Sequence, residues 1–303
     1  MSSDFFLGFI SSLFLATGFL VYGFKSKMLV GMSETKKYRK LLLDQEKSGK
    51  LLIRRDLELT KANEKLHALD ERKSEFVSIV AHQLRTPLSG IKWTLNMLIK
   101  GEFGQLQSEQ QAFLMKAYEN NQRLIVLVED MLSVDRIESG KSKFVFTEIQ
   151  LLDLFDNVLF EVHANALQNN VTIEFGERPG DLPKVSADAE QMRAVVQNLL
   201  DNAVRYTPKG GKVRIDFSKE GDSVKVAIKD NGIGIPEAEK VRIFNRFFRS
   251  RNAIRVKPDG SGLGLFIVKG IIERHGGNVW FESKEGEGTT FFFTVKAATA
   301  KIQ

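Results

Sequence analysis

NLLDNAVRYTP (Asn198–Pro208) reads as a helix that carries chemistry. Asn198 and Asn202 stand one turn apart and share a face, and Arg205 and Tyr206 lie three and four residues beyond Asn202. Amide oxygens are hard, neutral ligands that suit Mg²⁺ when a nucleotide's phosphates supply the remaining charge. Alone, such a pair is ordinarily a polar helix face, so its meaning depends on the segments around it.

Downstream, DNGIGIP (Asp230–Pro236) ends an apolar strand on a carboxylate followed by Gly232, Gly234 and Ile235. A carboxylate there accepts a hydrogen bond from an exocyclic amine such as that of adenine, and glycines let backbone approach a ring closely. Asp-Asn-Gly is equally a common turn. GSGLGL (Gly260–Leu265) places Gly260, Gly262, Leu263 and Gly264 before a helix starting near Leu265, so free N–H groups and the helix dipole suit phosphates. A dinucleotide fingerprint needs a buried strand before its glycines, and IRVKPD is not one, which disfavours NAD. Between these segments, Arg242, Arg246, Arg249, Arg251, Arg255 and Lys257 form a basic stretch suited to a lid over phosphates. Upstream, AHQLRTPL (Ala81–Leu88) sets His82 in mid-helix, with a lone pair available near neutral pH to attack phosphorus. Thr86 lies one turn on, and Pro87 cannot donate to the Gln83 carbonyl, which predicts a loosened or kinked helix beside the histidine.

The chain has 303 residues, room for about two domains plus linkers, and no cysteine, which excludes disulfides, thiolate metal sites and thiol nucleophiles. Its net charge of +6 comes without zinc-finger spacing or the aromatic–basic interleaving of nucleic-acid modules. Phe5–Phe24 is uncharged and long enough to span a bilayer of about 30 Å. It lacks a signal peptide's basic start, so a retained anchor is expected. Lys25, Lys27, Lys36, Lys37, Arg39 and Lys40 follow it and only Asp4 precedes it, which puts the body in the cytoplasm of a single-pass inner (cytoplasmic) membrane protein. Too few residues remain outside for an extracellular sensor.

Ser33 to about Lys100 reads as helix, with Leu52, Leu59 and Leu66 at heptad spacing and Gly49 as the expected weak point. After the turn-like GEFGQLQ, Ser108 is the expected N-cap of a second helix whose apolar face runs from Phe113 to Leu132. The two helices form a hairpin with an apolar face wider than one partner helix covers, so a homodimer through a four-helix bundle is expected. Beyond Gly140, KFVFTEI, VTIEF, KVRIDFS, SVKVAIKD and GTTFFFTVK alternate like strands, among helices at LLDLFDNVLFEVHANALQNN, AEQMRAVVQNLLDNAV and LGLFIVKGIIERHG. The fold class is α+β: a transmembrane helix (1–25), a helical or coiled-coil linker (26–70), the hairpin (71–140) and an α/β sandwich, helices over one face of a mixed sheet (141–298).

Taken in order, the boxes from about Leu66 to Val295 resemble those of the two-component sensor histidine kinases. The resemblance implies a hairpin for dimerisation and phosphotransfer and a sandwich of the GHKL ATPase (Bergerat) type. It implies ATP and Mg²⁺ as cofactors and His82 as phosphoacceptor, with Gln83, Arg85 and Thr86 as its catalytic neighbours. By the same likeness Asn202 binds Mg²⁺, Asn198 supports it and Asp230 reads adenine. FNRFFR (Phe244–Arg249) resembles the phenylalanine box, with Phe247 against the nucleotide and Arg249 reaching the terminal phosphate; Gly286, Gly288 and Thr289 resemble the last glycine box. The implied activity is autophosphorylation of the histidine by ATP, then transfer to an aspartate of a separate response regulator, since no receiver domain is found here. Two positions depart from the family. Gln83 stands where an acid is usual and cannot take the imidazole proton, and Arg205 stands where lysine is frequent but keeps the charge. Thr86 is expected to position water for dephosphorylating the regulator.

Two other classes fit parts of the chain. A related ATPase driving conformational change needs the carboxy-terminal boxes but not His82, and a non-catalytic membrane adaptor is favoured only by Gln83.

Overall fold

The computed structural model describes residues 3–140, 143–176, 180 and 182–298. It divides into two compact units, Met1–Leu69 and Asp70–Gln303, and helix α1 (Ser3–Ile99) belongs to both. In the first unit Leu52, Leu59 and Leu66 are exposed on the helix surface, among i, i+4 pairs such as Arg54–Glu58. The weak point expected at Gly49 does not interrupt the helix, because one glycine costs a helix interior only about 1 kcal/mol. Among the described residues no helix is long and apolar enough to cross a membrane; the side chains of residues 3–16, most of the expected span, lie outside the described ones.

In the second unit, α1 continues unbroken through Pro87 and forms a hairpin with α2 (Ser108–Glu138). Gln107, not Ser108, is the N-cap: its N–H donates to Gln110 Oε1 at 3.0 Å, so the cap sits one residue earlier than expected. Asn121 Nδ2 donates to the Leu88 carbonyl (2.9 Å), joining the helices where Ala81, Val128, Leu132 and Leu88 make a small apolar cluster.

Short β1 (Thr147–Ile149) is all that forms of the expected KFVFTEI strand, because Phe144 and Phe146 turn onto the His275 ring instead, 5.2 and 5.0 Å away. Helix α3 (Leu151–Gln168) and strand β2 (Thr172–Phe175) follow, and then β3 (Val185–Ala187), which pairs antiparallel with β1. Asp188 caps α4 (Ala189–Tyr206) by accepting from Gln191 N at 3.0 Å. Strands β4 (Lys212–Glu220) and β5 (Ser223–Asp230) lead through a 3-10 turn (Glu237–Arg242) to α5 (Arg251–Val256) and α6 (Gly264–Arg274). Finally come β6 (Val279–Lys284) and β7 (Gly288–Lys296).

The main sheet has the order β2-β4-β5-β7-β6, parallel between β2 and β4 and antiparallel elsewhere, which is the mixed sheet expected. Val213, Ile215 and Phe217 on β4 and Val224, Val226 and Ile228 on β5 alternate inward. Leu199 and Leu200 of α4 and Ile271 and Ile272 of α6 close over that face. Each such side chain contributes about 1.5–3 kcal/mol by leaving water. Helix α2 joins this core through Val134 and Ile137, the latter against Gly270, where an added Cβ would meet Ile137 Cγ2 at 2.5 Å.

Candidate nucleotide site and phosphoacceptor hairpin

The end of β5 is built around one buried carboxylate. Asp230 Oδ1 accepts from Gly232 N (2.8 Å) and Thr289 N (3.1 Å), and burial pushes its pKa up to about 6. The neighbouring glycines are forced by close backbone. At Gly234 (φ +64) a Cβ would lie 2.0 Å from the Lys284 carbonyl oxygen, and at Gly288 (φ +113) one would lie 2.1 Å from that of Asp230. Ser283 Oγ accepts from Ile235 N (2.9 Å), donates to the Gly288 carbonyl (2.9 Å) and lies 2.8 Å from Thr289 Oγ1. Asn252 Nδ2 then links the turn to α5 through the Gly234 carbonyl (2.8 Å).

Beside this turn lies a cavity of about 730 Å³. Asn198, Asn202, Arg205 and Tyr206 of α4, Gly234 and Ile235, Arg249, and Gly260, Gly262, Gly264 and Leu265 all line it. Of the expected nucleotide residues, Asp230, Gly232 and Thr289 are buried behind the wall, and Leu263 is wholly in the core. Phe247 is 64% exposed, in a left-handed conformation (φ +60) that a bulky residue rarely adopts. Asn198 Nδ2 donates to the Ala194 carbonyl (2.9 Å), which turns its Oδ1 toward Gly264. Among the described residues no cluster of three or more histidine, aspartate or glutamate side chains is placed to hold a metal. The donor set suits a cation whose charge is balanced mainly by phosphate, with Asn202 and Asn198 offering neutral amide oxygens.

One wall escaped the sequence reading. Asn120, Gln122, Arg123, Leu124, Leu127 and Asp130 of α2 face the same cavity. Asp130 Oδ2 accepts from Ser261 Oγ (2.9 Å), and Arg123 pairs with Asp259 (2.7 Å). Burial raises the pKa of Asp130 and likewise that of Asp201. Charged residues scattered on a helix carry no periodic signature, so nothing local in α2 marked them.

His82, Gln83 and Thr86 are exposed on α1, and Thr86 Oγ1 lies 3.5 Å from the His82 carbonyl. Arg85 is half-buried, with Nε unpartnered. None of the four lines the cavity, so the histidine and the glycine loops are separate sites in this arrangement.

An exposed histidine on a helical hairpin, joined to a glycine-lined cavity over a mixed sheet, defines a phosphoacceptor domain coupled to a nucleotide-binding one. Residues 72–140 match the His Kinase A (phospho-acceptor) domain, and residues 187–299 match the histidine kinase-, DNA gyrase B- and HSP90-like ATPases. The sensor histidine kinase WalK of Bacillus subtilis (strain 168) is 34% identical over 230 residues, 75% of this chain and 37% of its own length. The alginate biosynthesis sensor protein KinB of Pseudomonas aeruginosa is 31% identical over 246 residues, 80% of this chain and 39% of its own. The chain thus spans less than two-fifths of the length of these relatives. Full-length ShkA, crystallised with AMPPNP, superposes with a TM-score of 0.61 at 28% identity, covering 75% of this chain and 47% of that one. Histidine kinase ThkA, in complex with the response regulator TrrA, gives 0.52 at 28% identity, covering 75% and 63%. The chain belongs to the two-component sensor histidine kinases.

Proposed function

We propose that this protein is an ATP-dependent histidine kinase that phosphorylates His82 and passes the phosphoryl group to an aspartate of a separate response regulator. The observation that carries this reading is the cavity in which three separated motifs meet on α4, the Gly234 turn and the α6 amino terminus. The AMPPNP bound to ShkA and the regulator bound to ThkA support it by likeness.

In the proposed reaction, Asp230 accepts a hydrogen bond from the adenine amine, with Gly232, Gly234 and Ile235 against the ring and Thr289 fixing the carboxylate. Gly260, Gly262 and Gly264, with the amino terminus of α6, hold the phosphates. Arg205 and Arg249 bring charge to that end, Tyr206 and Leu265 line the walls, Leu263 anchors the glycine loop in the core, and exposed Phe247 closes against the nucleotide. Mg²⁺ held by Asn202 and supported by Asn198 would neutralise charge between the terminal phosphates. The His82 ring nitrogen attacks the γ-phosphorus, a P–N bond forms, the bond to the bridging oxygen breaks, and ADP leaves. The imidazole proton passes to water, because Gln83 accepts a hydrogen bond but is no base. Arg85 steadies the hairpin beside His82, and Thr86 positions water for hydrolysing the regulator's acyl phosphate.

The proposed division is an anchor (1–25), a helical linker (26–70), the dimerisation and phosphotransfer hairpin (71–140) and the catalytic domain (141–298). Exposed Phe76, Ile79, Leu84, Ile91 and Trp93 on α1 and Phe113 on α2 are the apolar face that a second copy covers. Phe19, Leu20, Val21, Tyr22 and Phe24, all well exposed, continue the uncharged run proposed to lie in the cell membrane, with the catalytic body in the cytoplasm.

Incubation with γ-labelled ATP and Mg²⁺ is expected to give an adduct stable to alkali and lost in acid, absent from His82→Gln. Label retained by that variant, or ATP hydrolysis with no adduct in the wild type, would refute the kinase reading.

A further inference from the structure

Three guanidinium groups, from α2, from α4 and from the loop before α5, converge on one short segment, Lys257–Gly260. Arg123, on α2 of the hairpin, pairs with the Asp259 carboxylate at 2.7 Å. Arg205, on α4, donates to the Asp259 carbonyl at 3.1 Å. Arg249 donates to the carbonyls of Lys257, Pro258 and, at 3.4 Å, Gly260. All three line the cavity, and a Cβ at Gly260 would lie 3.1 Å from Arg249 Cζ and 3.4 Å from Arg205 Nη1.

Charge shows what such a cluster is suited to. Three permanent cations meet the Asp259 carboxylate there, with Asp201 of α4 also acting on Arg205, so positive charge is in excess, and backbone carbonyls solvate a guanidinium without neutralising it. The Arg123–Asp259 pair is half-exposed on both sides, 51% and 56%, so as a structural bridge it adds at most about 1 kcal/mol. Stability therefore does not account for a hairpin arginine directed at the glycine loop. A terminal phosphate, with several charged oxygens on one atom, matches guanidinium donors better than the Asp259 carboxylate and the backbone carbonyls of Lys257–Gly260.

We propose that Arg123 is a third phosphate-end arginine of the nucleotide site, supplied by the hairpin, and that Asp259 competes with the nucleotide's terminal phosphate for it. The assignment rests on the nucleotide reading of the cavity. It makes triphosphate recognition depend on the domain that carries His82, so a terminal phosphate favours the hairpin's place against the catalytic domain, and its loss releases that hold.

The test is equilibrium binding to the full chain, with ATP and ADP each displacing a fluorescent ATP analogue in the presence of Mg²⁺, followed by anisotropy. Arg123→Gln is expected to weaken ATP about tenfold while leaving ADP within about twofold, as fits one charged hydrogen-bonding group at the terminal phosphate. Arg123→Lys, which keeps the charge and loses the fork, falls between. Asp259→Asn is expected to tighten ATP severalfold, and to do nothing once Arg123 is already Gln, because the competition is then gone. Equal loss for ATP and ADP in Arg123→Gln, no loss, or weaker ATP binding in Asp259→Asn would overturn the assignment. A wild-type chain that binds neither nucleotide would instead overturn the reading on which it rests, and the assignment with it. Unchanged thermal midpoints in both variants confirm that folding is not being measured.

Discussion

The hairpin and the catalytic domain are folded on opposite terms. In the catalytic domain, Phe155, Met192, Leu199, Leu200, Ile271 and Phe293 are all fully buried within one chain. In the hairpin only Ala81, Val128 and Leu132 make a cluster of their own, while Phe76, Ile79, Trp93 and Phe113 stay exposed. One region completes its core within the chain, borrowing only the Val134 end of α2, and the other leaves apolar surface uncovered. In the proposed kinase, a domain with its own packed core is thereby joined to a helical pair that a second copy is expected to stabilise.

The sharpest way to break this comparison is to damage each core and ask whether protein concentration matters. Leu200→Ala is expected to lower the unfolding free energy of the catalytic domain by about 2–5 kcal/mol at any protein concentration. Ile79→Glu is expected to leave that transition in place, yet raise the dimer dissociation constant in sedimentation at least a hundredfold, about 2.7 kcal/mol. A hairpin transition independent of concentration would show that its apolar face has no second copy to meet.

A smaller effect comes from two buried titratable groups with opposite signs. Asp230, raised to about 6 from 3.8, costs stability when ionised, so the domain gains stability as pH falls from about 6 toward 3.8; the full gap is about 3 kcal/mol. Asp230→Asn is expected to raise stability at pH 8 by up to about 3 kcal/mol, less what the bonds from Gly232 and Thr289 lose. Calorimetry should show ATP binding at least tenfold weaker, stability exchanged for function. His275 is lowered from 6.5 by burial, and its Nε2 accepts from Asp188 N at 3.0 Å, which requires the neutral ring. Its contribution is complete above about 6.5 and is lost as pH falls below that value. Urea titrations of Asp230→Asn should therefore lose stability toward pH 5 more steeply than wild type, because the opposing carboxylate is gone.

What the sequence revealed follows from how local each signal is. The glycine boxes were legible because only glycine tolerates the Gly234 and Gly288 geometries, and a close approach must be written in sequence at that position. The long strands β4, β5 and β7 were legible by alternation. Three-residue β3 was not, since Val185–Ala187 is too short for a period to appear, and the short β6 was overlooked beside the helix before it. Arg123 and Asp130 were invisible because their meaning lies in Asp259 and Ser261, more than a hundred residues away. Asp188 was missed as a cap although its residue type fits. It also accepts from Val145 N (2.8 Å), a tether between the segment after α2 and the start of α4 that no spacing encodes. Asp188→Ala is expected to cost about 1–2 kcal/mol in urea unfolding, and hydrogen exchange should rise at Val145 as well as in the first turn of α4.

The finest test of the comparison uses one substitution at two helical glycines. At Gly49, in the part of α1 that lies in the first unit, an added Cβ meets nothing within 4 Å, and φ is not left-handed. Ala there removes backbone freedom from the unfolded chain and is expected to add up to about 1 kcal/mol of helix stability, read as higher ellipticity on warming. At Gly270 the same methyl group runs into Ile137 of α2 at 2.5 Å, so the seam between hairpin and catalytic domain must widen. Gly270→Ala is expected to cost about 1 kcal/mol and to raise hydrogen exchange in the last turns of α2 while leaving the sheet protected. Equal and favourable effects at both positions would mean that α2 does not rest on α6 in solution, and the wall it lends to the nucleotide cavity would go with it.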